Sequence, residues 1–283
     1  MNEAPFRWDI TRRSQLGGLV EGVALPTYAG FIDGLQQCGA RVIGLCDDGD
    51  LFFIGRSPES LFDHLSGLLF DLSWTRRLWL VQFSAAGLGC DPPVAAAALT
   101  AFRAYCHTIG LAPEQIIHRP RPVTFVDLVS SGHTFKYLVG LLQTWCGESG
   151  YEWPAVRRKL RIVGITWRTK TSPKTVRWQQ QADWVGILER GAIKNVSVPG
   201  QLWSYLGNIQ PKVTPSYPHW RWGLPGTTTA PEANRNPEAL RLALHLFDEG
   251  RARNQRYAFA RHLARDRAMI HPWYRDLVRE LKR

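Results

Sequence analysis

The sequence predicts an α/β protein with a mostly parallel sheet. Two observations favour this class: short apolar runs alternate with segments of helical spacing through the first 170 residues, and most of the runs end in loops rich in Gly, Ser, Pro or Asp. No apolar run reaches the roughly 18 residues that a membrane-spanning helix needs, so we expect no membrane partner. The N-terminal segment lacks a basic stretch followed by an apolar core, so we expect a cytoplasmic protein.

The first predicted strands are residues 40–46 and 51–54, joined by the Asp-Asp-Gly-Asp turn at 47–50. Three neighbouring carboxylates in that turn have the chemistry to hold a divalent ion, but an Asp-Gly turn accounts for them without one. Leucines spaced by three and four residues predict a helix over 61–69.

The later elements repeat this alternation. Apolar runs predict strands, and the segments between them predict a loop and helices. We predict strands over 77–83, 122–129 and 161–167, a loop over 84–93, and helices over 94–109 and 135–145.

Composition divides the chain into three predicted regions: an α/β core over 1–170, an irregular Trp-rich region over 171–237 and a basic helical C-terminal extension over 238–283. Residues 1–150 hold 11 basic and 14 acidic residues, whereas the rest hold 24 basic and 10 acidic residues. This asymmetry favours a surface that meets phosphates of a nucleic acid or an acidic protein. A solvated basic face is the alternative.

Cysteine and histidine patterns point away from several classes of site. The five cysteines include no CxxC pair, which argues against a disulfide framework or a zinc site. The sequence contains neither an HExxH motif nor a GxSxG elbow, so nothing indicates a zinc protease or a serine hydrolase of that kind.

The most informative segment is 123–134, a buried strand that ends at Asp127 and leads through a small polar loop into a helix. Unpaired N–H groups at such a helix start attract phosphate, and small side chains let it approach the backbone. A carboxylate at the strand end can accept hydrogen bonds from ribose hydroxyls. The predicted phosphate loop is Ser130, Ser131, Gly132, His133 and Thr134. The alternative is an ordinary connection capped by one of the serines.

From Asp127 to Thr134 the sequence resembles the phosphate loop of type I phosphoribosyltransferases, starting at the second of that family's two acidic positions. The resemblance implies a sheet of the phosphoribosyltransferase type, with Asp127 near the ribose and the loop holding the 5-phosphate of phosphoribosyl pyrophosphate. It also implies magnesium at the site. The family's first acidic position is Val126 here. This departure implies altered substrate geometry, a different donor, or nucleotide binding without transfer.

The order of elements extends the resemblance to other positions. It implies that Arg56 and Ser57 bind pyrophosphate, that 84–93 is a mobile loop, that 161–167 is the last core strand and that Trp167 contacts a base. A guanidinium suits pyrophosphate oxygens, although a surface arginine beside a helix start is the alternative for Arg56.

Aromatic and basic residues are interleaved just beyond that strand. Stacking rings beside cations suit single-stranded nucleic acid or a nucleotide, whereas a Trp-rich minor core is the alternative. We therefore predict a nucleotide-handling enzyme that uses a phosphoribosyl group, or else a nucleic-acid-associated effector or nucleotide sensor with the same pocket. The interleaved residues are Trp167, Lys170, Lys174, Arg177 and Trp178.

Overall fold

A computed structural model describes residues 20–89, 94–168, 177–222 and 236–283. Its centre is a five-stranded sheet in which every neighbouring pair of strands is parallel, so the α/β prediction is confirmed. The order across the sheet is β2-β1-β3-β4-β5. The strands are β1 (Asp50–Ile54), β2 (Leu78–Val81), β3 (Val123–Leu128), β4 (Leu160–Trp167) and β5 (Ile193–Val198).

Helices cover both faces of the sheet. Alternate residues of the strands enter two separate hydrophobic cores, as expected for parallel strands buried on both sides. One core contains α1, α2 and the C-terminal helices, and the other contains α3 and α5. The helices are α1 (Phe31–Leu45), α2 (Glu59–Leu68), α3 (Ala96–Thr108), α4 (Pro113–His118), α5 (His133–Glu148), α6 (Trp153–Arg157), α7 (Gly200–Ser204), α8 (Pro237–Arg251), α9 (Arg253–Leu263) and α10 (Pro272–Leu281).

The prediction of a strand over residues 40–46 is wrong, because these residues form the last turns and the C-cap of α1. Buried Phe31, Leu35, Cys38 and Val42 recur at helical spacing, so the apolar run continues a helical face. The turn at 47–50 consequently joins a helix to β1 and does not close a hairpin.

The region predicted to be irregular contains a fifth strand, so residues 161–167 are not the last strand of the sheet. β5 pairs in parallel with β4 from Ile193 to Val198. Its last four residues, Asn-Val-Ser-Val, alternate polar and apolar residues, which is typical of a strand at the edge of a sheet. The predicted Lys170 and Lys174, the end of the 84–93 loop and most of the segment before α8 lie outside the described residues.

The basic C-terminal region forms helices that share a core with the first half of the chain. Leu246, Phe259 and Tyr274 are buried in the same cluster as Phe31 of α1. Helix α8 lies so close to α2 that a Cβ atom added at Gly250 would stand 2.6 Å from the carbonyl oxygen of His64. No helix in the described ranges has both the length and the apolar character needed to cross a bilayer.

The strand order places a topological switch point between β1 and β3. The chain leaves β1 toward β2 on one side, and it leaves β3 toward β4 on the other side. Loops that diverge in this way leave a crevice at the carboxyl ends of the two strands, where open α/β sheets bind ligands.

Candidate functional site

A cavity of about 130 Å³ occupies this crevice. Residues at or just beyond the carboxyl ends of β1, β2 and β3 line it, together with residues of the segment 206–217. The cavity is lined by Ile54, Gly55, Arg56, Ser57, Phe83, Ser84, Asp127, Thr134, Gly207, Lys212, Ser216 and Tyr217.

The loop after β1 forms one wall of the cavity, and Gly55 fixes its path. Gly55 has a φ of +71°, and an added Cβ atom would lie 2.9 Å from the carbonyl oxygen of Phe83. Its N–H donates to Val81 O at 2.8 Å, so the ends of β1 and β2 are held together. These contacts place Arg56 at the cavity, where its Nη1 donates to Thr214 O at 3.1 Å.

Among the residues that the structure describes, Asp127 brings the only carboxyl group that lines the cavity, and it is buried. Its Oδ1 accepts a hydrogen bond from the Leu128 N–H at 2.7 Å, and its side chain is hydrogen-bonded to Thr134. Burial raises the pKa of Asp127 to about 8, although these hydrogen bonds and the charge of Lys212 oppose the rise. The carboxyl group is therefore largely protonated at neutral pH.

Lys212 is a site residue that the sequence did not reveal, because it belongs to no recognisable motif and lies in a region without clear periodicity. Its Nζ donates to Leu206 O at 2.7 Å and to Arg56 O at 3.2 Å. Burial lowers the pKa of Lys212 to about 8, the carboxylate of Glu59 acts in the opposite direction, and the charge of Arg56 lowers the pKa further.

Gln210 fastens the segment 206–217 to the loop after β1. Its Nε2 donates to Ser57 O at 2.9 Å and to Leu206 O at 2.7 Å, and its Oε1 accepts a hydrogen bond from Ser60 Oγ. Gln210 is buried, so these bonds are shielded from water. The position of Lys212 is thus set by a network that includes backbone atoms of the predicted pyrophosphate loop.

The lining is suited to an anion with neighbouring hydroxyl groups. Arg56 and Lys212 supply positive charge, and the hydroxyl-bearing side chains supply neutral donors and acceptors. The helices that follow β1 and β3 both begin next to the cavity, so the positive ends of their dipoles add to the attraction. The hydroxyl-bearing residues are Ser57, Ser84, Thr134, Ser216 and Tyr217.

The structure brings together Arg56, Ser57, Asp127 and Thr134. The rest of the predicted phosphate loop does not line the cavity: Ser130, Ser131 and His133 are exposed, and Gly132 is buried.

Local packing explains why position 132 is a glycine. Its φ is +81°, and an added Cβ atom would lie within 2.5 Å of the Trp178 ring. A side chain at Gly132 would therefore collide with an indole and strain the backbone, whether or not a phosphate is bound.

Trp167 also lies away from the cavity lining. It ends β4, is 55% exposed, and stacks on Trp203 with ring centroids 6.2 Å apart. The predicted contact between Trp167 and a base therefore has no support from the cavity's lining.

The aspartates of the acidic turn at 47–50 form ion pairs with arginines. Asp47 pairs with Arg161 at 3.0 Å, and Asp48 pairs with Arg77 at 2.9 Å. Within the described ranges, no group of three or more His, Cys, Asp or Glu side chains is arranged to hold a metal ion.

Comparison with protein-family models, with curated proteins and with solved structures gives no match for this chain. We therefore infer function from the geometry of the cavity.

Proposed function

We propose that the protein is a nucleotide-handling enzyme that binds a phosphoribosyl group, as ribose 5-phosphate or phosphoribosyl pyrophosphate, in the switch-point cavity. The observation that carries this proposal is the convergence of two cations, five hydroxyl groups and one buried carboxyl group at the ends of three parallel strands. A sugar phosphate presents the complementary groups: an anionic phosphoryl group and several hydroxyls.

Each lining group has a distinct role in this proposal. Arg56 and Lys212 neutralise phosphate oxygens, and an added anion stabilises the protonated form of Lys212 against the burial that lowers its pKa. Asp127, which is largely protonated at neutral pH, can both donate to and accept from a ribose hydroxyl. Thr134 orients the Asp127 carboxyl group through their hydrogen bond.

The size of the cavity limits how much of a ligand it encloses. Its volume of about 130 Å³ is well below the roughly 300–1,000 Å³ of typical ligand pockets. The phosphoryl and sugar parts therefore lie inside, and a base lies beyond the opening. Trp220 is the aromatic residue best placed to contact that base, because it is 63% exposed, lies within four residues of the lining Ser216, and stands close to Gly87 in the loop after β2.

In this proposal, magnesium binds together with the pyrophosphate group. Magnesium usually takes one or two carboxylates together with substrate phosphates and water. Asp127 offers a single carboxyl group, and burial favours its neutral form, so the protein's own residues fit the ion poorly. Most ligands of a magnesium ion would be phosphate oxygens of phosphoribosyl pyrophosphate.

Isothermal titration calorimetry with phosphoribosyl pyrophosphate and magnesium tests the proposal. We expect Lys212→Met to weaken binding about 10- to 100-fold, since a charge-assisted hydrogen bond is worth roughly 1.5–3 kcal/mol. Lys136→Met is the matched control, because Lys136 is an exposed lysine paired with Asp183 outside the cavity. Equal affinity of wild type, Lys212→Met and Asp127→Asn would refute the proposed site.

Val126 favours a second candidate function, a nucleotide sensor or effector that binds the same group without transferring it. Valine has no carboxylate, and its side chain is fully buried in the core shared with α1 and α2 and does not line the cavity. The family's first acidic group therefore has no counterpart in the cavity. A pyrophosphate-release assay over a panel of bases, with Asp127→Ala as the blank, separates the two functions. Binding without release would support the sensor.

A further inference from the structure

A second and larger cavity, of about 580 Å³, lies at the amino ends of β1, β4 and β5. The first cavity lies at the carboxyl ends of the strands, on the opposite side of the molecule along the strand direction. We call the second cavity the basic groove, after the four cations in its lining: Arg158 and Arg161 at the start of β4, and Arg190 and Lys194 around the start of β5. His271 and Trp273, at the start of α10, also line it.

The positive charge of the basic groove is only partly neutralised within the protein. The two carboxylates in its lining already have partners, since Asp47 pairs with Arg161 at 3.0 Å and Glu189 pairs with Arg157 at 2.8 Å. The three exposed cations Arg158, Arg190 and Lys194 have no carboxylate partner among the residues that the structure describes. A concave surface with this surplus of positive charge attracts anions.

Aromatic rings add a second kind of contact to the same groove. The rings of His271 and Trp273 are nearly parallel, at 16°, with centroids 6.2 Å apart. Trp273 is half-buried, with its centroid 5.8 Å from that of the buried Trp74, which fixes it to the core. His271 is the exposed member of this stack, so a planar base can extend it from the solvent side.

We infer that the basic groove binds single-stranded nucleic acid, with phosphates near Arg158, Arg190 and Lys194 and a base against His271. An acidic protein would engage the cations but would leave the aromatic stack unused, so the combination favours nucleic acid. The basic groove is separate from the switch-point cavity, because the two lie at opposite ends of strands that rise about 3.3 Å per residue.

Fluorescence anisotropy with labelled oligouridine and oligothymidine tests this inference in the full-length chain. We expect the double variant Arg158→Ala/Arg190→Ala to bind at least tenfold more weakly than the wild type. Each lost phosphate contact should also reduce the slope of log affinity against log salt by about 0.7, so the double variant should lose about 1.4. Arg253→Ala is the matched control, since it removes an exposed arginine that does not line the groove.

The aromatic contact has its own test. His271→Ala should weaken binding several-fold without changing the salt slope, and His271→Phe should restore it. Asp127→Asn should leave oligonucleotide binding unchanged, because it alters only the other cavity. Wild-type affinity in the double arginine variant would overturn the inference. So would equally tight binding of polyglutamate together with no effect of His271→Ala, which would point to an acidic protein partner.

Discussion

Asp127 lines the cavity, and the burial of its carboxyl group destabilises the folded protein at neutral pH. The pKa of its carboxyl group is about 8 in the folded protein and near 3.8 when exposed, so folding above pH 4 requires uptake of a proton or burial of a charge. Its contribution to stability is therefore unfavourable at neutral pH and disappears as the pH falls below 4. A residue that opposes folding in this way is typical of functional sites.

Replacing Asp127 with asparagine should consequently stabilise the protein while weakening ligand binding. Asparagine keeps hydrogen-bonding capacity toward Leu128 and Thr134 but cannot ionise. We expect the free energy of unfolding at pH 7 to rise by about 2–4 kcal/mol, with no gain below pH 4. Urea denaturation at several pH values measures this, with Asp183→Asn at an exposed position as the control. A less stable Asp127→Asn protein at pH 7 would contradict the pKa assignment.

His64 makes stability depend on pH in the opposite direction. It is fully buried, its Nδ1–H donates to Leu246 O at 3.0 Å, and its Nε2 has no hydrogen-bond partner in the described part of the chain. Burial lowers the pKa of His64 to about 4, and the charge of His245 adds to this effect. Because the unfolded chain binds the proton near pH 6.5, the neutral folded form loses stability as the pH falls from 6.5 to 4.

We expect His64 to account for about 3 kcal/mol of that loss. His64→Asn retains a donor for Leu246 O but does not titrate, so its free energy of unfolding should vary less over this pH range. Urea titrations from pH 7 to pH 4 compare it with wild type and with His118→Asn. An unchanged pH dependence in His64→Asn would show that other groups control acid stability.

At the scale of elements, the contact between α2 and α8 depends on a glycine. A Cβ atom at Gly250 would stand 2.6 Å from His64 O and 2.7 Å from Leu68 N, and neither backbone atom can move easily. We expect Gly250→Ala to destabilise the protein by about 1–3 kcal/mol despite the better helix propensity of alanine. Gly140→Ala in α5 is the matched control, because its Cβ atom meets nothing within 4 Å. Calorimetric melting of both variants should therefore show shifts of opposite sign.

At the scale of the whole molecule, the sequence was informative where local pattern determines structure. Apolar runs with flanking turns predicted β1 to β4, and the motif at 123–134 contains Asp127 and Thr134, both of which line the switch-point cavity. Lys212 and the basic groove depend on contacts between distant segments, for which no local pattern exists. The wrong prediction of a strand over 40–46 has a different origin, since a short apolar run fits a buried strand and one face of a helix equally well.

The shared core of α1 and the C-terminal helices has a consequence for how the protein is made. Phe31 is synthesised more than 220 residues before its core partners Phe259 and Tyr274. Until α8, α9 and α10 have left the ribosome, the apolar faces of α1 and α2 therefore lack the helices that cover them. Nascent chains with such surfaces are prone to aggregation and are natural clients of chaperones.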